Sequence, residues 1–206
     1  MRSYASASEL VTDDDVEVAF VAAPPALHAS LALDLLRAGK HVVCEKPLCL
    51  TVAEADQIIR TAAANDRVLT VYQNRRWDPD FVAVRRAVET GLLGDVFNVE
   101  TFVGGFEHPC RTWHSDTAVS GGAGYDWGSH HVDWVLLLLG GTPRVVQAHG
   151  HKRVWHDVTN VDQLRVRMTW ATAARPSSSR ATSRPSDARS STCRGPPGRS
   201  SGAIAR

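Results

Sequence analysis

No two cysteines stand at C-x-x-C spacing. The four present, Cys44, Cys49, Cys110 and Cys193, are scattered along the chain. That excludes a thioredoxin-type redox pair and a zinc ribbon, and no other ligand spacing suggests a metal. Reduced thiols, mostly buried, are expected in a cytoplasmic protein. The sequence also lacks a long hydrophobic run. Its most apolar stretch, Val132 to Leu139, falls far short of the roughly 20 residues that span a bilayer. The start, Met1-Arg2-Ser3-Tyr4, leads into small and polar residues rather than an apolar signal segment. No membrane partner is expected, and the expected location is the cytoplasm. Net charge is nearly absent too, at +1, but it is unevenly spread. From Thr172 onward seven arginines face one acid, Asp187, so this stretch carries +6 and the preceding body −5. A mildly acidic body excludes specific nucleic-acid binding by charge. Finally, no G-x-G-x-x-G turn occurs anywhere in the 206 residues.

What is present alternates between strand and helix. Val16 to Ala22 is nearly continuous in apolar residues, the pattern of a buried parallel strand, and Pro24-Pro25 ends it. His28 to Ala38 carries a stripe of leucines and closes on Gly39. His41 to Cys44 reads as the next strand. Thr51-Val52-Ala53-Glu54 has the form of a capping box that opens a helix to Ala64. Val68 to Tyr72 is a strand, and Asp78 to Thr90 a helix closed by Gly91. This is the signature of an α/β parallel sheet. After Gly94 the pattern changes. Val96 to Val103 alternates like an antiparallel strand, a helix runs from Asp126 to Leu139, and Val145 to His151 and Gln163 to Trp170 read as further strands. From Thr172 the chain is dominated by Ser, Arg, Pro, Ala, Thr and Gly. It cannot bury enough apolar surface to offset the entropy of ordering it. A natural basic tail and an out-of-frame reading of a GC-rich gene are the two origins such a segment has.

Two short motifs carry chemistry. Glu45-Lys46-Pro47 follows a strand, which places a lysine at the rim of a sheet where α/β proteins bind ligands. Gly121-Gly122-Ala123-Gly124-Tyr125-Asp126-Trp127-Gly128-Ser129-His130-His131-Val132-Asp133 is rich in glycine and runs into an apolar helix. Asp126 and His130 are four apart and share one helical face, and a carboxylate beside an imidazole is common wiring for proton transfer. The bland alternatives are that Asp126 caps its helix, that His130 is a satisfied core histidine, and that Lys46 is a solvated surface lysine.

Together Glu45-Lys46-Pro47, Asn74-Arg75-Arg76-Trp77 and Asp126-x-Gly128-x-His130-x-x-Asp133, in this order, resemble the Gfo/Idh/MocA family of NAD(P)-dependent oxidoreductases. Val16 to His28 and Ala32 to Pro47 match in the same way, and the likeness covers roughly residues 4 to 171. It implies a partial Rossmann-type parallel-sheet domain over residues 1–94, then a truncated α+β mixed-sheet domain for substrate and oligomerisation over 95–171. Residues 172–206 would be a disordered basic tail. It implies hydride transfer between a nicotinamide cofactor and a sugar, inositol or related polyol. Lys46, Asp126 and His130 would be catalytic. Ala23, Pro24, Pro25, His28, Glu45, Lys46, Asn74, Arg75 and Trp113 would line the cofactor, which is NAD or NADP. Relatives commonly have Thr or Ser where Ala23 stands, and Trp-Arg where Trp113-His114 stands. The family grips the pyrophosphate with the glycine turn that is missing here, so weak cofactor binding is expected. The alternative is an inactive, truncated remnant. The family is usually homo-oligomeric, an assembly that a shortened second sheet would undermine.

Overall fold

The computed structural model describes residues 2–171 and the backbone of 200–205. The chain divides into two compact units. The first comprises residues 1–76, 108–130 and 152–162. Its strands β1 (Val18–Val21), β2 (His41–Glu45) and β3 (Leu69–Tyr72) form a parallel sheet in the order β1-β2-β3. Val21 lies opposite Cys44, and Cys44 opposite Val71. Helix α1 (Ala7–Val11) precedes the sheet, while α2 (His28–Arg37) and α3 (Val52–Ala64) make the crossovers. The α2 stripe buries Ala29, Ala32, Leu33, Leu35 and Leu36. These residues pack with Ile58 and Ala62 of α3 against Ala19, Val21, Val42 and Cys44 of the sheet. Each fully buried Leu or Ile contributes about 1.5–3 kcal/mol over its exposed state. Burial pushes the Cys44 thiol, helped by the nearby Cys49 and Glu45, up to about 12; it is packing material, not a nucleophile.

Among the described residues, helices cover only one face of this sheet. Val18 and Phe20 are 57% and 53% exposed, where the sequence pattern of β1 predicts a strand buried on both sides. Both crossover helices pack on the face of Ala19 and Val21, so the alternate residues of β1 meet water.

The second unit comprises residues 77–107, 131–151 and 163–206. Helix α4 (Pro79–Glu89) and the later part of α6 (Ala123–Leu139) supply its core. The Phe81 and Trp134 rings stack 4.9 Å apart at 7°, and Leu138, Val84, Val88 and Val99 pack around them. Strand β5 (Val145–His151) pairs antiparallel with β6 (Gln163–Thr169), and β4 (Val99–Gly104) with β7 (Ser200–Ala205). The β7 strand departs from the expectation that 172–206 holds no structure. Strand pairing is a backbone interaction and needs no apolar side chains, which is how a segment this poor in them joins β4. The rest of that expectation, residues 172–199 and 206, lies outside the described residues.

The division by compactness also departs from a boundary at residue 94. Helix α4 belongs with the second unit, and 108–130 and 152–162 with the first. Among the described residues no helix is long and apolar enough to cross a membrane.

Candidate active site

All three parallel strands end at the same edge of the sheet, so the loops after β1, β2 and β3 emerge together there. They carry Ala23 to His28, Lys46-Pro47 and Asn74-Arg75. The Lys46–Pro47 peptide bond is cis.

A glycine turn brings a fourth element to this edge. Helix α5 (Thr117–Ser120) is capped by Asp116, whose carboxylate accepts from the Ala118 N–H. It ends at Gly121, where φ is +79° and an added Cβ would stand 2.6 Å from the Tyr125 ring and 2.8 Å from the Leu50 side chain. Only glycine meets both demands. Beyond it α6 starts at Ala123, three residues earlier than the sequence predicts, because the Gly122 carbonyl accepts the N–H groups of Tyr125 and Asp126 at 3.0 Å. Asp126 therefore sits inside the first turn and is not the helix cap.

Its carboxylate goes to Lys46 instead. The Lys46 ammonium donates to Asp126 Oδ1 at 2.6 Å and to the Asp126 carbonyl at 3.0 Å. The two side chains keep 19% and 36% of their exposure, so the pair is shielded yet within reach of a ligand. Glu45 Oε2 accepts the Lys46 N–H at 3.2 Å. Tyr125 fixes the helix start by donating from its hydroxyl to the Leu50 carbonyl at 2.7 Å. His130 lies one turn beyond Asp126 on α6 and is 4% exposed. Its ring is 6.3 Å from Trp127, edge to face.

The remaining expected residues divide. The Arg75 guanidinium sits 4.3 Å above the Trp127 ring, a cation–π contact that ties the end of β3 to α6. Asn74 and Arg75 lie in a 3₁₀ turn, Asn74–Trp77. Pro24 precedes a second such turn, Pro25–Leu27, in which Pro25 is buried. His28 is 1% exposed. Its Nδ1 lies 2.7 Å from the Pro47 carbonyl and its Nε2 2.7 Å from the Ala23 carbonyl. Both ring nitrogens are thus engaged by main chain. Trp113 stacks on His114 at 3.6 Å. Among the described residues no hydrogen bond or ring contact joins it to Lys46 or Asp126.

Sequence reasoning did not foresee Trp127 as the platform for Arg75. Nor did it foresee that the loop between β5 and β6 belongs to this unit. Asn160 donates to the His114 carbonyl and accepts from the Thr117 hydroxyl, each at 2.8 Å, and the Thr159 hydroxyl accepts the Thr117 N–H at 2.7 Å. These partners are more than 40 positions apart, beyond any local pattern.

Comparison with known proteins decides the lineage. Residues 1–73 match the description "Oxidoreductase family, NAD-binding Rossmann fold", and residues 81–190 match the GFO/IDH/MocA C-terminal domain. The chain belongs to the Gfo/Idh/MocA oxidoreductase family. An uncharacterized oxidoreductase of Schizosaccharomyces pombe is 36% identical over 147 residues, 70% of this chain and 40% of that protein. The scyllo-inositol 2-dehydrogenase (NADP(+)) of Bacillus subtilis is 33% identical over 142 residues, 68% of this chain and 39% of that enzyme. Among solved structures, GenD2 from gentamicin A biosynthesis, in complex with NAD, aligns with a TM-score of 0.76 at 29% identity. The match covers 84% of this chain and 50% of GenD2. This Gfo/Idh/MocA chain therefore spans about two fifths of the length of the curated relatives it matches. The α/β architecture of Rossmann type agrees with these neighbours.

The residues present fit the reacting end of a nicotinamide cofactor. A lysine–aspartate pair at the carboxyl edge of a parallel sheet suits the reacting end of such a group. Nothing in the sequence supplies the glycine turn that would hold its pyrophosphate.

Proposed function

We propose that this chain carries the proton-handling part of an NAD(P)-dependent dehydrogenase site for a polyol or sugar, inositols first among them. The Lys46–Asp126 contact at 2.6 Å, at the carboxyl end of β2, is the observation that supports this most. When bound, the nicotinamide supplies the hydride acceptor or donor. The loops after β1 and β2, Ala23 to Pro25 and Glu45 to Lys46, would lie along its nicotinamide half, with Asn74 and Arg75 beside them. Lys46 would donate a hydrogen bond to the reacting oxygen and hold it. Asp126 orients the ammonium and neutralises it while no substrate is present. His130, one turn on, would exchange the hydroxyl proton. Relatives named as inositol dehydrogenases, from Bacillus subtilis and Thermotoga maritima, support the substrate class.

Without a G-x-G-x-x-G turn in its 206 residues, the chain lacks the backbone amides that would bind the pyrophosphate. Weak binding of NAD(H) or NADP(H) is the expected result of calorimetric titration. Micromolar affinity would contradict it. Turnover is then assayed with inositols and sugars at cofactor concentrations high enough to saturate a weak site. Activity is expected there, and Lys46→Ala should lower it on the order of 10²–10⁴-fold. A chain that turns over none of these substrates at saturating cofactor, or a Lys46→Ala variant as active as the parent, would favour the inactive-remnant reading.

A further inference from the structure

Lys46 stands just past the end of β2, where its N–H donates to Glu45 Oε2 at 3.2 Å. The loop that carries it leaves β2 at Glu45 and turns away at Pro47, and the Pro47 carbonyl accepts from a ring nitrogen of His28 at 2.7 Å. The other ring nitrogen faces the Ala23 carbonyl, also at 2.7 Å. Ala23 lies in the loop after β1, and His28 opens α2. One buried ring therefore joins the two loops that flank the carboxyl edge of the sheet. A carbonyl is an acceptor only, so a ring N–H donates to a loop carbonyl, and the ring lies within hydrogen-bond distance of both loops.

We propose that His28 is a positioning residue for Lys46. It acts as a strap between the Ala23 and Pro47 carbonyls, and so holds the Lys46 ammonium against Asp126. The idea rests on the reading of Lys46 as the group that meets the reacting oxygen, but its test does not. Competitive acetylation of the whole chain, read by mass spectrometry, reports how shielded each lysine amine is. In His28→Ala the labelling rate of Lys46 should rise several-fold. That of Lys40, whose ammonium donates to the Asp13 carbonyl on the same unit, should stay at the wild-type value. His28→Gln keeps one amide donor, and its Lys46 rate should fall between the two. A general loosening would raise Lys40 and Lys46 together and would overturn the proposal, as would an unchanged Lys46 rate in a folded variant. If His28→Ala does not fold, the wild-type chain decides. An exchange-protected ring N–H signal is expected for His28 by ¹⁵N-edited NMR, and its absence overturns the strap. A chain in which Lys46 is released yet turnover is unaffected would keep the strap and sink the catalytic reading of Lys46.

Discussion

Asp162 shows how one carboxylate can organise a loop. It lies at the end of the segment between β5 and β6, and accepts the N–H groups of Arg153, Val154 and Trp155. The Lys152 ammonium is 3.4 Å away. Partial desolvation works against its charge, but the three N–H donors and Lys152 outweigh it and lower the carboxyl to about 2. A carboxylate whose folded value is depressed contributes stability that is complete above its unfolded value, about 4. That contribution is lost as pH falls through the folded value. The loop, and with it the Asn160 and Thr159 contacts to the turn at 113–117, should hold at neutral pH and weaken between about pH 4 and pH 2. Amide hydrogen exchange at residues 153–155 measures this directly. Asp162→Asn should raise exchange there at neutral pH and flatten its dependence on acid. Exchange that already climbs between about pH 7 and pH 5 in the wild-type chain would mean another group controls the loop.

At the scale of the element, α3 illustrates which features a sequence displays. Its N-terminus is a closed capping box: the Thr51 hydroxyl accepts the Glu54 N–H at 3.2 Å, and Glu54 Oε2 accepts the N–H groups of Thr51 and Leu50 at 2.9 and 3.1 Å. All partners lie within four positions, so Thr51-x-x-Glu54 announces them. Thr51→Ala should destabilise the first unit by about 1 kcal/mol, read as a lower denaturation midpoint with unchanged slope. No shift would show that water replaces the cap at no cost. Strands β2 and β5 and helix α2 were legible for the same local reason, to within a residue. The N-terminus of α6 was not. Asp126 looks like a cap in one dimension, and only the Gly122 carbonyl and a lysine 80 positions away show that it is not. The Arg75–Trp127 contact and the role of His28 were hidden likewise, because each joins residues whose neighbourhood is set by the sheet edge. The exposed face of β1 escaped for a different reason. A run such as Val18-Ala19-Phe20-Val21 states that both faces can be buried, not that anything covers them.

For the molecule as a whole, that uncovered face has a consequence. Val18, Phe20 and Tyr72 are 57%, 53% and 46% exposed, and the Phe20 and Tyr72 rings meet edge to face at 5.8 Å. They form one apolar surface across the sheet. On the second unit Val146 of β5 and Val166 of β6 are 60% and 41% exposed. Apolar patches of this kind on a soluble chain drive association, and an unpaired strand edge beside one adds a template for it. The chain in isolation should therefore bind a hydrophobic dye while still folded, and its apparent mass by light scattering should rise with concentration. Phe20→Lys should reduce both effects. Phe20 points away from the cluster of Leu36, Ile58 and Val42, so the substitution leaves the core intact and should change stability by no more than about 0.5 kcal/mol. If Phe20→Lys instead unfolds the first unit, then Phe20 is part of a packed layer and the sheet is covered after all. If the parent chain stays monomeric and takes up no dye, the apolar face is too small to matter.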